Sequence, residues 1–239
     1  MHDEGDKALR EISVALAAGD IPLRCHIDHG KDFVAIIRRS RQLQANLIVI
    51  GAHGKLSLKD EVFGTTGQKL ARKADTPLLV VKKPVQNSYR RILAATDFSA
   101  ASLQALQFAV SVAPEADIDL LHVYGLWGEN RLSMAGAGPQ DRSAYRLRIE
   151  ESASATLQDW VEQIDLKGRK PVLHVRQGNP ANLISQLATE RQADLVVMGT
   201  TGQSGLPYIL LGSVAEKVLH TVPCDTLIVR PQGFRFELP

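Results

Sequence analysis

The chain has 239 residues, of which 44% are hydrophobic and 23% charged, and its 28 Lys+Arg against 26 Asp+Glu leave a net charge of +2. That apolar content supports a packed core and excludes wholesale disorder. The near-balance of charge excludes a strong field for polyanions.

The elements follow in chain order. Met1–Asp6 is acidic and no apolar stretch follows it, so no signal peptide is read and a cytoplasmic location is expected. Leu23–Ile27 reads as a strand carrying Cys25 and His26. Arg38, Arg39 and Arg41 form a basic cluster on a helix, read as a solvated face because no aromatic residues interleave with it. Leu47–Ile50 and Leu78–Val81 read as short buried strands. They fall far short of the roughly 20 residues that span a bilayer.

From Arg91 onward the pattern is more complete. Arg91–Thr96 reads as a strand ending at Asp97, and Ser99 as the N-cap of a helix that runs to Ala113 before Pro114. Ile118–Tyr124 is a second strand. Gly125–Gly138 is a glycine-rich loop holding Trp127, and Arg142–Ile164 has helical periodicity with Trp160 on its apolar face. Pro171–Val175, Leu195–Met198 and Thr226–Val229 are further strands, with helices over Pro180–Arg191 and Ser213–Thr221. Continuous apolar strands alternating with amphipathic helices imply a parallel sheet covered on both faces. Cys25 and Cys224 lack any partner spacing and are expected as buried thiols in a reducing compartment.

The chain also repeats itself at a shift of 148 residues without a gap. Ala45–Gly51 lies on Ala193–Gly199, Gly54 on Gly202, Gly64-Thr65 on Gly212-Ser213, and Leu79–Val81 on Leu227–Val229. His26 lies on His174 and Lys69 on Lys217. Two copies of one unit are therefore expected, an incomplete one over 1–86 and a complete one over 87–239. Residues 90–148 have no counterpart in the first copy, which lacks its first two strands. The expected cause is a fragment of a longer chain or a mis-started reading frame. The alternative is a second chain that fills the gap.

The specific chemistry gathers at one place. After the strand at Leu195 come Gly199-Thr200-Thr201-Gly202, nine residues, and then Gly212-Ser213 opening a helix. Glycines let backbone N–H groups approach an anion, and a helix N-terminus adds unpaired donors and partial positive charge. The residues alone allow either a phosphate cradle or a plain turn with a helix cap.

The pattern G-x2-G-x9-G-[S/T] occurs at both units and resembles the nucleotide motif of the universal stress protein family. RILAATDFS at 91–99, DLLHVY at 119–124, ADLVVMGTTGQSG at 193–205 and LLGSVAEKVL at 210–219 are similar to that family too. The resemblance covers nearly the whole chain and is that of a tandem member with a truncated first unit. It implies a three-layer, doubly wound α/β fold, Rossmann-like and of the adenine nucleotide alpha hydrolase kind, with strand order 3-2-1-4-5. It also implies a cytoplasmic stress-response protein that binds ATP, or ADP or AMP, with Mg²⁺ as a further expectation. On that resemblance Asp97 holds the adenosine part and the Val123 backbone meets adenine. Gly199, Gly202 and Gly212 wrap the phosphates, and Ser213 binds the terminal phosphate. Gln203 stands where members often carry a basic residue, and Pro207-Tyr208 lies within the nine-residue stretch.

The first unit keeps Gly51, Gly54, Gly64, Thr65 and Lys55 but has no counterpart of Asp97 or Val123, so no autonomous adenosine site is expected in residues 1–86. The last strands of the two units are expected to pair with each other. Gly199→Val is expected to fill the cradle and abolish binding without unfolding the protein.

Other readings are open to test. A protein-interaction module with a vestigial site is the first alternative, and a weak ATPase or slow autophosphorylation the second. The Walker pattern and the G-x-S-x-G elbow are both absent, and Asp97-Phe98-Ser99-Ala100-Ala101 replaces the serine-glycine-glycine loop of adenylating folds. No catalytic base is assigned. His122 and His174 read as structural, His53 as a loop residue, and no set has metal-ligand spacing. The partners expected are an adenine nucleotide, a second copy of the chain in a homodimer, and a protein, with neither nucleic acid nor membrane.

Overall fold

In the computed structural model, residues 22–52, 63–84, 87–125, 138–200, 211–231 and 233–238 are described. The first unit contributes α1 (Asp32–Gln42), β1 (Ile48–Gly51), α2 (Thr65–Lys73) and β2 (Leu78–Val81). The second contributes β3 (Arg91–Thr96), α3 (Ala100–Val112), β4 (Asp117–Tyr124), α4 (Pro139–Glu162), β5 (Val172–Gln177), α5 (Pro180–Glu190), β6 (Leu195–Gly199), α6 (Ser213–Thr221) and β7 (Asp225–Val229). Each expected strand and helix of the second unit is present, with ends displaced by at most a few residues.

All of these strands join one seven-stranded sheet in the order β1-β2-β7-β6-β3-β4-β5. Within the second unit the order is the doubly wound one, with its first strand, β3, between β4 and β6. Every pairing is parallel except β2 with β7. There Leu79 faces Leu227, and these two residues are equivalents in the repeat. An approximate two-fold axis therefore passes through that pair. The last strands pair with each other as expected, and the pairing leaves neither at an edge of the joint sheet.

The two faces hold separate cores. One joins Phe33, Ile37, Leu70, Ile184, Val218 and the strand residues beneath them. The other joins Leu106, Ala109, Val110 and Leu157 to Ile92, Leu120 and Val197. Burial on both faces is why these strands carry unbroken apolar runs. Val49 of β1 and Val172 of β5, on the two edge strands, belong to neither core and are 56% and 49% exposed. The outer edge of β1 pairs with no strand among the described residues.

The repeat recurs in backbone detail. Gln44 and Gln192 take left-handed φ values of 50° and 52°, and Gly30 and Gly178 take 114° and 146°. Ala45 N–H donates to Ser40 just as Ala193 N–H donates to Ala188, both at 2.8 Å.

Two expectations fail in the first unit. Leu23–Ile27 is not a strand, and Cys25, expected to be buried, is exposed, as is His26. The physical reason lies in the second unit, where the equivalent strand β5 hydrogen-bonds only to β4. Among the described residues no strand stands beside this segment as β4 stands beside β5, so it has no ladder to join there. Cys224 is buried as expected. The basic cluster is paired rather than simply solvated: Arg39 meets Asp28 at 2.6 Å and Arg41 meets Asp75 at 2.9 Å.

Candidate functional site

The site forms where β3 sends its neighbours in opposite directions, at the carboxyl ends of the strands. The chain leaves β3 through a tight turn. Phe98 takes φ 64°, a left-handed value costly for a bulky residue. It is held by stacking on His122 at 4.2 Å and by its own N–H, which donates to Thr96 Oγ1 at 3.0 Å. His122 Nδ1 meets the Thr96 carbonyl at 2.9 Å, so the nitrogen is the donor and His122 is structural, as expected. Asp97 accepts from Ser99 N–H at 3.1 Å, and Ser99 caps α3 by accepting from Ser102 N–H. This fixes Asp97 at the mouth of a cavity of about 550 Å³.

Leu121 and Val123 of β4 and Ile184 of α5 make an apolar wall of that cavity. Gly199, Thr200, Gly212 and Ser213 line it too. Thr200 joins the two glycines. Its N–H donates to Val229 O at 3.0 Å, and its carbonyl accepts from Gly212 N–H at 2.7 Å. A Cβ on Gly212 would stand 3.0 Å from the Thr200 carbonyl, a tight contact that favours glycine there. Gly212 is also the N-cap of α6 and has no side chain to cap it, so the first N–H groups of α6 are left for another acceptor.

Asp97, Val123, Gly199, Gly212 and Ser213 are thus brought around one cavity. Gly202 and Gln203 lie outside the described residues, as do His53, Gly54, Lys55, Trp127, Pro207 and Tyr208. Gly199 acts differently from expectation. A Cβ there would sit 2.8 Å from Ala101 Cβ and 3.0 Å from Ser102 N, against α3 rather than in the cradle. This glycine allows α3 to pack onto the end of β6, so Gly199→Val perturbs the fold and is not a clean probe of binding.

Among the lining residues not singled out from the sequence, three bear on the site. Thr200 is 2% exposed, and its hydroxyl has no hydrogen-bond partner among the described residues. Glu216, in the first turn of α6, lines the cavity and pairs with Arg72 of α2. Ile184 supplies apolar wall. The only sequence signal for Thr200 was its place between the motif's first two glycines, and Glu216 carried none.

The first unit repeats the frame without the site. Ala52 N–H donates to Val81 at 2.8 Å and Gly64 N–H to Ala52 at 3.0 Å, the same ties that hold Thr200. Beside Thr65, however, Thr66 donates to the Asp32 carboxylate, which also accepts from Phe33 N–H. An internal anion therefore stands at the N-terminus of α2, with its pKa lowered by those hydrogen bonds.

A doubly wound sheet with a glycine-lined helix N-terminus at the crossover is the architecture of nucleotide-fold α/β proteins. The sequence matches the universal stress protein family over residues 2–82 and 88–230, and the chain belongs to that family as a protein of two tandem units. It is 34% identical over 146 residues to a universal stress protein of Methanocaldococcus jannaschii, spanning 61% of this chain and 84% of that protein. It is 25% identical over 215 residues to universal stress protein E of Escherichia coli, spanning 87% of this chain and 67% of that one. A universal stress protein from Archaeoglobus fulgidus shares the fold, with a TM-score of 0.68 at 21% identity over 96% of this chain and 79% of the other. Among the described residues, no helix is long and apolar enough to cross a membrane.

Proposed function

We propose that the second unit, residues 87–239, binds an adenine nucleotide (ATP, ADP or AMP). On this reading the cytoplasmic protein acts in the stress response through the occupancy of that site. Residues 1–86 form the incomplete unit. The observation that carries the reading is the meeting of Asp97 and Val123 with Gly199, Gly212 and Ser213 around one cavity of about 550 Å³. That volume is within the usual range for small-molecule sites. Asp97 receives the nucleoside hydroxyls, and the Val123 backbone faces the base against the apolar wall. The uncapped N–H groups of α6 and the Ser213 hydroxyl receive phosphate oxygens, and Mg²⁺ accompanies a triphosphate. No described side chain is placed as a base for attack on a phosphate, so hydrolysis is not assigned.

The first unit has Asp32 where an incoming phosphate would meet α2, and it has no counterpart of Asp97. One nucleotide per chain is therefore expected. The test is to denature purified protein and identify the released nucleotide in moles per chain. About one mole of adenine nucleotide supports the reading. No released nucleotide, together with no heat of binding on adding ATP and Mg²⁺, overturns it.

The uncovered edge of β1 and the exposed Val49 favour a second reading, a protein-interaction module that uses that edge. Pull-down of a partner that is lost in Val49→Lys would support it. A homodimer through the same edge would show as twice the chain mass in light scattering.

A further inference from the structure

We propose that the ends of α1 and α2 carry a docking surface for an extended peptide segment with two aromatic side chains two residues apart, and that the chain's own residues 233–238 cover that surface as a displaceable strap. The proposal is independent of the nucleotide reading.

The segment leaves β7 and crosses onto the other unit. Gly233 takes φ 86°, a left-handed value open to glycine, and the chain then runs on outside any helix or strand. Its side chains nevertheless alternate as in a strand: Phe234, Phe236 and Leu238 are half-buried, and Arg235 and Glu237 are exposed. The run therefore has one binding face and one solvent face. Phe236 and Leu238 pack against the core that contains Phe33, Ile37 and Leu70.

Cations grip the segment. The Arg230 guanidinium donates to the Ala71 carbonyl near the end of α2 and lies 4.1 Å from the centre of the Phe234 ring. The Lys73 ammonium, in the last turn of α2, lies 4.7 Å from the Phe236 ring and 4.7 Å from the Phe33 ring of α1. Arg41 of α1 donates from Nη2 to the Phe236 carbonyl at 2.6 Å and from Nε to Asp75 at 2.9 Å. Cation–ring contacts and a charge-assisted bond to a carbonyl recognise aromatic residues on an extended backbone, and none of them needs the covalent link to β7. Phe33 and Asp75 hold Lys73 and Arg41 from within the first unit, so both cations stay in place when the strap leaves.

The strap is lightly anchored at its root. Phe234 N–H reaches the Pro231 carbonyl at 3.4 Å, long for a hydrogen bond. Gly233 and Phe234 also border a second cavity of about 550 Å³, shared with Gln104, Gln107 and Ser111 of α3. A segment that borders open space and belongs to no ladder is the kind that detaches locally while the fold persists. The repeat supplies an internal control. Gln86 and Ser88 occupy the positions 148 residues before Phe234 and Phe236, so the repeated fold does not require the aromatic pair.

The test uses the full chain, a synthetic peptide of residues 233–238, and a control peptide with serine at both phenylalanine positions. Phe234→Ser combined with Phe236→Ser empties the surface, and circular dichroism checks that the variant folds. Calorimetry is expected to show one peptide per folded variant chain, bound about tenfold or more tighter than by wild type, whose strap competes. The control peptide is expected not to bind. Adding Lys73→Gln is expected to weaken the peptide about three- to tenfold. No binding to the folded variant, equal affinity in wild type, equal binding of the control peptide, or no effect of Lys73→Gln overturns the proposal. If the variant fails to fold, wild type decides. At about 5 mM peptide, comparable to the effective concentration of a tethered segment, the amide NMR signals of Arg235 and Glu237 are expected to move to disordered positions, and unmoved signals overturn the proposal. A dimeric wild type with a monomeric folded variant, read by light scattering, means that the segment of a second copy fills the surface, which overturns its occupation by the chain's own strap.

Discussion

Arg72 in the last turn of α2 pairs with Glu216 in the first turn of α6, so the first unit reaches a residue that lines the second unit's cavity. Both side chains are close to half exposed, and such a pair adds less than about 1 kcal/mol to stability. Its effect on the site is electrostatic. A carboxylate at the phosphate end opposes an anionic ligand, and Arg72 offsets that charge. Arg72→Ala is expected to weaken ATP binding about two- to fivefold at low salt, and Glu216→Gln to strengthen it. Titration calorimetry with each variant checks both directions. Equal affinities in all three proteins would show that the pair has no bearing on the site.

Gly199→Ala probes packing. The added methyl would meet Ala101 Cβ at 2.8 Å and its carbonyl carbon at 2.9 Å, and helix backbone moves only as a unit. A cost of about 1–3 kcal/mol is expected. Urea denaturation measures it, and an unchanged midpoint would mean that α3 shifts freely.

The approximate two-fold axis carries a reciprocal brace. Lys82, just past β2, donates from Nζ to the Val222 carbonyl at the end of α6, at 2.7 Å. Its equivalent Arg230, just past β7, donates to the Ala71 carbonyl near the end of α2, also at 2.7 Å. Each unit thus satisfies a C-terminal helix carbonyl of the other with a cation, which the helix dipole favours. Arg230 is the more buried, at 6% exposure, and its attraction to Asp75 offsets part of its desolvation. Arg230→Met is expected to cost about 2–3 kcal/mol, because the Ala71 carbonyl loses its donor and Asp75 a neighbouring cation. Equilibrium unfolding measures the loss. A change below about 0.5 kcal/mol would remove the brace as a stabilising feature.

Lys82 also gives a pH signature. Burial lowers its ammonium to about 8, against the pull of Cys224 and Asp225. An amine whose folded pKa lies below its unfolded value binds fewer protons when folded, so stability rises as pH passes from about 8 towards 10.5. Burial pushes Cys224 up to about 11 and raises Tyr89 as well, and both act in the opposite sense, but only above their ordinary values near 9 and 10. The clean window is pH 7.5 to 9. Wild type is expected to gain ~1 kcal/mol or less across it, the gain reduced because Lys82 is only partly buried, and Lys82→Met to gain nothing. Denaturation midpoints at the two pH values decide it, and equal slopes in both proteins would assign the effect elsewhere.

The second unit was legible in the sequence nearly strand by strand. Its strands are apolar on both faces, its first helix has the capping residue Ser99, and its glycines punctuate the crossover loop. Leu23–Ile27 misled because its composition is that of a strand while no strand stands beside it among the described residues. Cys25 was misplaced for the same reason. Gly199 lines the cavity the motif pointed to, and the close approach of α3 to it was not legible in the motif. Thr200 and Glu216 escaped because an orphaned hydroxyl and an ion pair between α2 and α6 exist only once those helices are packed.

The repeat, the α/β class and the place of the glycine-rich crossover loop were legible in the chain alone. All three are written in local periodicity and in residue types whose conformational demands do not depend on distant neighbours. Packing added the antiparallel register of the expected pairing, with Leu79 opposite Leu227, and the single cavity that Asp97, Val123 and Ser213 line. It also decided that Arg72 of the first unit reaches Glu216 beside that cavity. Those relations join residues far apart in the chain, and the energies that select them, namely burial, satisfied hydrogen bonds and charge neutralised away from water, arise only when the elements meet.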